Sequence, residues 1–69
     1  MTRLIEQHSY ENLTFNIYQM VTINNFEFEP HVSYIFEIVP KGNNPIFKTN
    51  FSNLTQAKEA LFKQLDNLQ

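Results

Sequence analysis

The chain has 69 residues with five Lys and Arg against seven Asp and Glu, a formal net charge of −2, no cysteine and one glycine. That length makes one domain, residues 1–69, which buries only about 60% of the surface of its unfolded chain. The composition excludes disulfides, thiolate nucleophiles, cysteine-based zinc sites and a Gly-rich phosphate loop, lacks the basic excess that drives phosphate binding, and fits a reducing, cytoplasmic setting.

Residues 1–10 are charged and hold no long apolar run, and nowhere do 18 apolar residues stand together, so neither a signal peptide nor a membrane span is expected. Within them Leu4, Glu6, His8 and Tyr10 alternate weakly with Ile5, Gln7 and Ser9. This is the pattern of an edge strand turned back at Glu11-Asn12, or of a loosely held arm.

Leu13, Phe15 and Ile17 alternate with Thr14, Asn16 and Tyr18 and continue through Met20 and Val21, which predicts a strand over 13–22. Asn24-Asn25 is the next turn signal. A tight hairpin there pairs Val21 with Phe28, Ile17 with Val32, Phe15 with Tyr34 and Leu13 with Phe36. The second strand then spans 26–39, bent near Pro30, which has no N–H to give a ladder. Its even positions Val32, Tyr34, Phe36 and Ile38 form a fully apolar face.

Pro40 ends that strand, and Gly42-Asn43 suits a tight turn into a third strand over 45–51. The resulting register sets Tyr34 opposite Phe51, Phe36 opposite Thr49, Ile38 opposite Phe47, Glu37 opposite Lys48 and Val39 opposite Ile46. Asn53 then looks like an N-cap, with Gln56 completing a capping box, and a helix over 53–68 carries a stripe of Leu54, Ala57, Leu61, Leu65 and Leu68. Phe62 falls at the rim of that stripe or outside it. The fold class is therefore α+β: a three-stranded antiparallel β-meander, four-stranded if residues 1–10 pair, with one C-terminal α-helix on one face.

Catalysis is not expected, because no nucleophile, paired-carboxylate cleft or metal set meets an activating partner, and no cofactor or metal is implied. Glu27, Glu29 and His31 share one strand face, but alternate positions lie about 6.6 Å apart, so they read as a solvated acidic edge rather than a metal site. His8 has no evident partner.

The outward face is more informative. Tyr18, Met20, Ile35, Val39 and Ile46 lie there among Thr14, Asn16, Ser33, Glu37 and Lys48, which is apolar for a solvated face. Either it is an interface, extended by Phe26 and Phe28 at the hairpin tip, or residues 1–10 fold across it, or it is ordinary scatter. The leading expectation is a small non-enzymatic protein-binding or regulatory module, of adaptor or inhibitor type, that self-associates through this face.

The meander and helix, through Tyr34-Ile35-Phe36-Glu37-Ile38 and the helix opening Asn53-Leu54-Thr55-Gln56-Ala57, resemble the arm-type DNA-binding modules of integrases and the plant AP2-type domain. The resemblance implies the topology and, as the alternative function, nucleic-acid binding through the sheet. Those families use Arg, Lys and aromatic side chains there; here the face carries Glu27, Glu29 and Glu37 against Lys48. Nucleic acid would need Arg3, Lys41, Lys48, Lys58 and Lys63 gathered on one side.

Overall fold

The computed structural model describes residues 1–23 and 29–69. Four strands, β1 (Thr2–Tyr10), β2 (Leu13–Thr22), β3 (His31–Pro40) and β4 (Phe47–Phe51), form one antiparallel sheet in chain order, and α1 (Leu54–Leu68) closes one face. The α+β meander with a C-terminal helix is thus present, with residues 1–10 pairing as the fourth strand.

Alternation along β2 and β3 sends Phe15, Ile17, Phe36 and Ile38 to the same face, where Ala57 and Leu61 of α1 complete a buried core. Phe15 and Phe36 lie with ring planes nearly parallel and centroids 6.4 Å apart, and Phe47 tilts against Phe36 at 5.7 Å. Leu54 and Leu65 flank this core. Leu68, expected in the stripe, is instead 44% exposed, at the last residue of α1. Phe62 lies outside the core set and is 40% exposed, with its ring edge-on to His8.

The β3–β4 register is the expected one from Tyr34 opposite Phe51 to Ile38 opposite Phe47. The turn differs. Asn43 N–H donates to the Pro40 carbonyl (3.0 Å), and Gly42 takes φ +75°, the positive value that residue alone adopts at no cost. The connection spans residues 41–46, and the expected pairing of Val39 with Ile46 is absent: Ile46 N–H reaches the Ile38 carbonyl instead, at 3.0 Å.

The β2–β3 register departs from expectation by four residues. Phe15 faces Ile38, Ile17 faces Phe36 and Val21 faces Val32, with Thr22 and His31 the last pair. The connection is therefore residues 23–30 rather than two asparagines, and β3 begins just past Pro30, where backbone N–H groups become available. An even shift leaves every side chain on its expected face, so the core survives the error. The expected pair of Val21 with Phe28 is thus replaced by Val21 with Val32, and Phe28 itself lies outside the described residues.

β1 carries a second departure. Its pairing with β2 shifts between Leu4 and Glu6, a bulge that places Ile5 as an extra residue. Leu4 stands opposite Tyr18 on the open face, whereas Glu6, His8 and Tyr10 stand opposite Ile17, Phe15 and Leu13 on the helix face. Simple alternation would have put Leu4 and Glu6 together.

The helix start is set by Asn53, whose Oδ1 accepts from the N–H groups of Thr55 (2.7 Å) and Gln56 (3.3 Å). No acidic residue occupies the first turn, so this cap is the main satisfaction of the orphan donors there. Asn53→Ala is expected to cost about 1 kcal/mol, while Asn53→Asp is neutral or better. Urea unfolding of the two variants checks the order.

Candidate functional site

The face of the sheet opposite α1 is uncovered by any described element, since β1 joins its edge instead of folding across it. Tyr18, Met20, Ile35 and Val39 all lie on this face, as expected, but they are not equally available. Ile35 is only 6% exposed, in a central strand between Tyr18 and Asn50 of the same row. Ile46 lies beyond the ladder and is 68% exposed. Phe26 and Phe28 lie outside the described residues.

Register places four polar residues in one straight row across all four strands: Gln7 opposite Asn16, Asn16 opposite Glu37, and Glu37 opposite Lys48. Gln7 Nε2 donates to Asn16 Oδ1 at 2.8 Å, and Asn16 Nδ2 donates to Glu37 Oε1 at 3.1 Å. Asn16 and Glu37 are buried although no described element covers the face. The desolvation of the carboxylate is offset by charge-assisted bonds, which is the condition for a buried charge to be tolerated. Burial, and then the neighbouring Glu37 carboxylate with which its hydroxyl bonds, hold the Tyr18 phenol above its usual range.

Next to this row runs a more apolar one, Leu4, Tyr18, Ile35 and Asn50, and then Thr2, Met20 and Ser33. A shallow hollow of about 280 Å³ opens between them, lined by Thr2, Tyr18, Met20, Ile35, Glu37 and Lys48. A wider trough of about 630 Å³ along the outer side of α1, by Lys58, Phe62, Lys63 and Asp66, is a solvated helix surface.

No family model, curated protein or solved structure matches this chain.

The helix side holds a second polar group that sequence reasoning missed. His8 does have partners: its Nε2 lies 3.0 Å from Glu6 Oε1, and its ring meets Phe62 edge-on at 5.2 Å. Lys58 Nζ reaches Glu6 Oε2 at 3.6 Å, so these contacts tie edge strand β1 to α1. The bulge at Ile5 creates this cluster by turning Glu6 and His8 inward, and a bulge leaves no mark in alternation alone. The His8 hydrogen bond, chiefly, holds the Glu6 carboxyl below its ordinary value of 4.5; burial opposes it, and the Lys58 charge adds to the lowering.

A carboxyl depressed by folding adds stability that is present above its unfolded value and lost as pH falls through the folded one. Glu6→Gln is expected to flatten that acid limb and to cost at most about 1 kcal/mol at neutral pH, as befits a part-exposed cluster. Thermal melts of both proteins between neutrality and pH 3 would show it, and parallel acid limbs would refute it.

Among the described residues no three His, Cys, Asp or Glu side chains converge as a metal site would need. Glu29 and His31 are exposed at the start of β3, and Glu27 lies outside the described residues. The basic residues do not gather: Lys48 is on the open face, Lys41 in the β3–β4 turn, Lys58 and Lys63 on α1, and Arg3 in β1 opposite Gln19. No helix among the described residues is long and apolar enough to cross a membrane.

Proposed function

We propose that this chain is a small non-enzymatic protein-binding module, of the adaptor or inhibitor kind, that works through the open face of its sheet. The observation that carries the reading is the composition of that face. Leu4, Tyr18, Met20, Ile35 and Val39 form an apolar field around a central row of fixed polar groups, the pattern of an interface with directional contacts inside it. The sheet edges are less suited to the role, since β1 is bulged and β4 spans five residues.

A nucleic-acid partner gains no support from this geometry, because the face pairs one Lys with one Glu in its polar row and offers no cationic track for phosphates.

Placing a photo-crosslinking phenylalanine at Tyr18, and in a second protein at Lys63 on the outer side of α1, tests the reading in the cells that make the chain. A discrete protein adduct from position 18 and none from position 63 is expected. No adduct at position 18, or equal adducts from both, would overturn the assignment of the face.

A further inference from the structure

The polar row has an order that selects a partner. Gln7 spends a donor on Asn16 and keeps its Oε1 acceptor; Asn16 spends one amide hydrogen on Glu37 and keeps the other. Glu37 accepts from Asn16 and from the Tyr18 hydroxyl, and of the roughly four lone-pair sites of a carboxylate it keeps the rest; Lys48 ends the row with an ammonium. Read from β1 to β4, the row can offer acceptor, donor, acceptor, donor: the Gln7 and Asn16 amides each keep both kinds of group, whereas Glu37 can only accept and Lys48 can only donate.

We infer that the open face pairs with the open face of a second copy of this chain, about a two-fold axis that lies between the sheets and runs parallel to the strands between β2 and β3. This inference rests on the reading of that face as a protein-binding surface. Rotation about such an axis reverses the order of strands and keeps each row in place. Gln7 then meets Lys48 of the second copy and Asn16 meets its Glu37, so the ammonium faces an amide carbonyl and the carboxylate faces an amide N–H. In the adjacent row Tyr18 meets Ile35 of the second copy, apolar on apolar.

The other in-plane axis, across the strands, lays each strand on its own equivalent. Glu37 would then face Glu37 and Lys48 face Lys48, or, if displaced by a row, a buried carboxylate would face Ile35 or Val39. Both arrangements leave charge desolvated without a partner. An unrelated protein has no reason to match a row that is its own reverse complement, whereas a second copy matches it automatically.

The area is sufficient for a reversible pair. Four strands at about 4.8 Å spacing and eight paired residues at about 3.3 Å each give a footprint of about 500 Å² per copy. Two copies reach about 1,000 Å², the lower bound for a specific interface, so association in the micromolar range is expected.

Sedimentation from 10 μM to 1 mM, on wild type, Gln7→Lys, and Gln7→Lys combined with Lys48→Gln, tests the pairing. Gln7 and Lys48 are exposed, so the folded protomer tolerates both changes. Wild type is expected to dimerise, Gln7→Lys to weaken the dimer at least tenfold by setting two lysines against two lysines, and the double variant to recover most of the loss. Isotope-filtered contacts between the Tyr18 ring of one copy and Ile35 methyls of the other, in mixed-label wild type, check the axis without any substitution. A wild type that remains monomeric at 1 mM, a Gln7→Lys dimer of undiminished affinity, a double variant no tighter than Gln7→Lys, or intermolecular contacts between like residues would each overturn the inference. A monomer that still yields a foreign adduct from position 18 sinks self-pairing and leaves the binding-module reading standing; a failure of both removes the reading as well.

Discussion

Phe36→Ala is expected to remove about half or more of the folding free energy of the protein. The Phe36 side chain is fully buried, stands between Ile17 and Thr49 in register, and packs on Phe15 and Phe47 beneath Ala57 and Leu61. Truncating a phenylalanine in such a place costs about 3–5 kcal/mol, since two neighbouring rings and a helix cannot all collapse into the void. At about 0.05–0.15 kcal/mol per residue, a domain of this size has roughly 3–10 kcal/mol in total. Phe47→Ala is the internal comparison: Phe47 is 44% exposed at the end of the short β4, so its loss should cost no more than about half as much. Far-UV circular dichroism against urea gives both numbers. A Phe36→Ala protein with a wild-type midpoint would mean that the α1-facing side is not the core.

The reasons that Phe36 could be placed on that side from sequence alone also explain where sequence reasoning stopped. Period-two alternation assigns faces, and Phe15, Ile17, Phe36 and Ile38 all lie where it sends them. It is blind to any shift by an even number of residues, so the β2–β3 register moved by four without disturbing the core set. Turn chemistry settled the β3–β4 register, because Gly42 has a backbone requirement that no other residue nearby meets. The two asparagines 24 and 25 carried a similar signal, yet Pro30 outweighed it by denying the ladder an N–H before His31. In β1 the bulge inverted the alternation half-way along, which hid the Glu6, His8, Lys58 cluster and moved Leu4 onto the open face. The row Gln7, Asn16, Glu37, Lys48 needed three registers at once, of which sequence reasoning had one correct.

Asn16→Asp is expected to be the most damaging single-atom exchange in the polar row, and to be damaging only away from acid. Asn16 is 5% exposed and gives its Nδ2 hydrogen to Glu37 Oε1 at 3.1 Å. The aspartate has the same shape but replaces that donor with an oxygen, so two carboxylates stand about 3 Å apart in a site shielded from water. At an effective dielectric constant of about 20, their repulsion amounts to about 5 kcal/mol. The folded variant escapes most of this by keeping one proton on the pair, whose hydroxyl then restores a bond between residues 16 and 37. In the unfolded chain both carboxyls ionise near their ordinary values of about 4. The folded variant therefore binds one proton more than the unfolded chain from about pH 4 up to the raised value of the pair, and its stability falls as pH rises through that window. This slope is opposite in sign to the acid limb that Glu6 provides in the native protein. A loss of about 3 kcal/mol at pH 7, shrinking to about 1 kcal/mol or less near pH 4.5, is the expected pattern in urea titrations at the two pH values. Asn16→Asp with native stability at pH 7 would show that Glu37 is held away from residue 16 in solution, and the row on which face-to-face pairing depends would not exist.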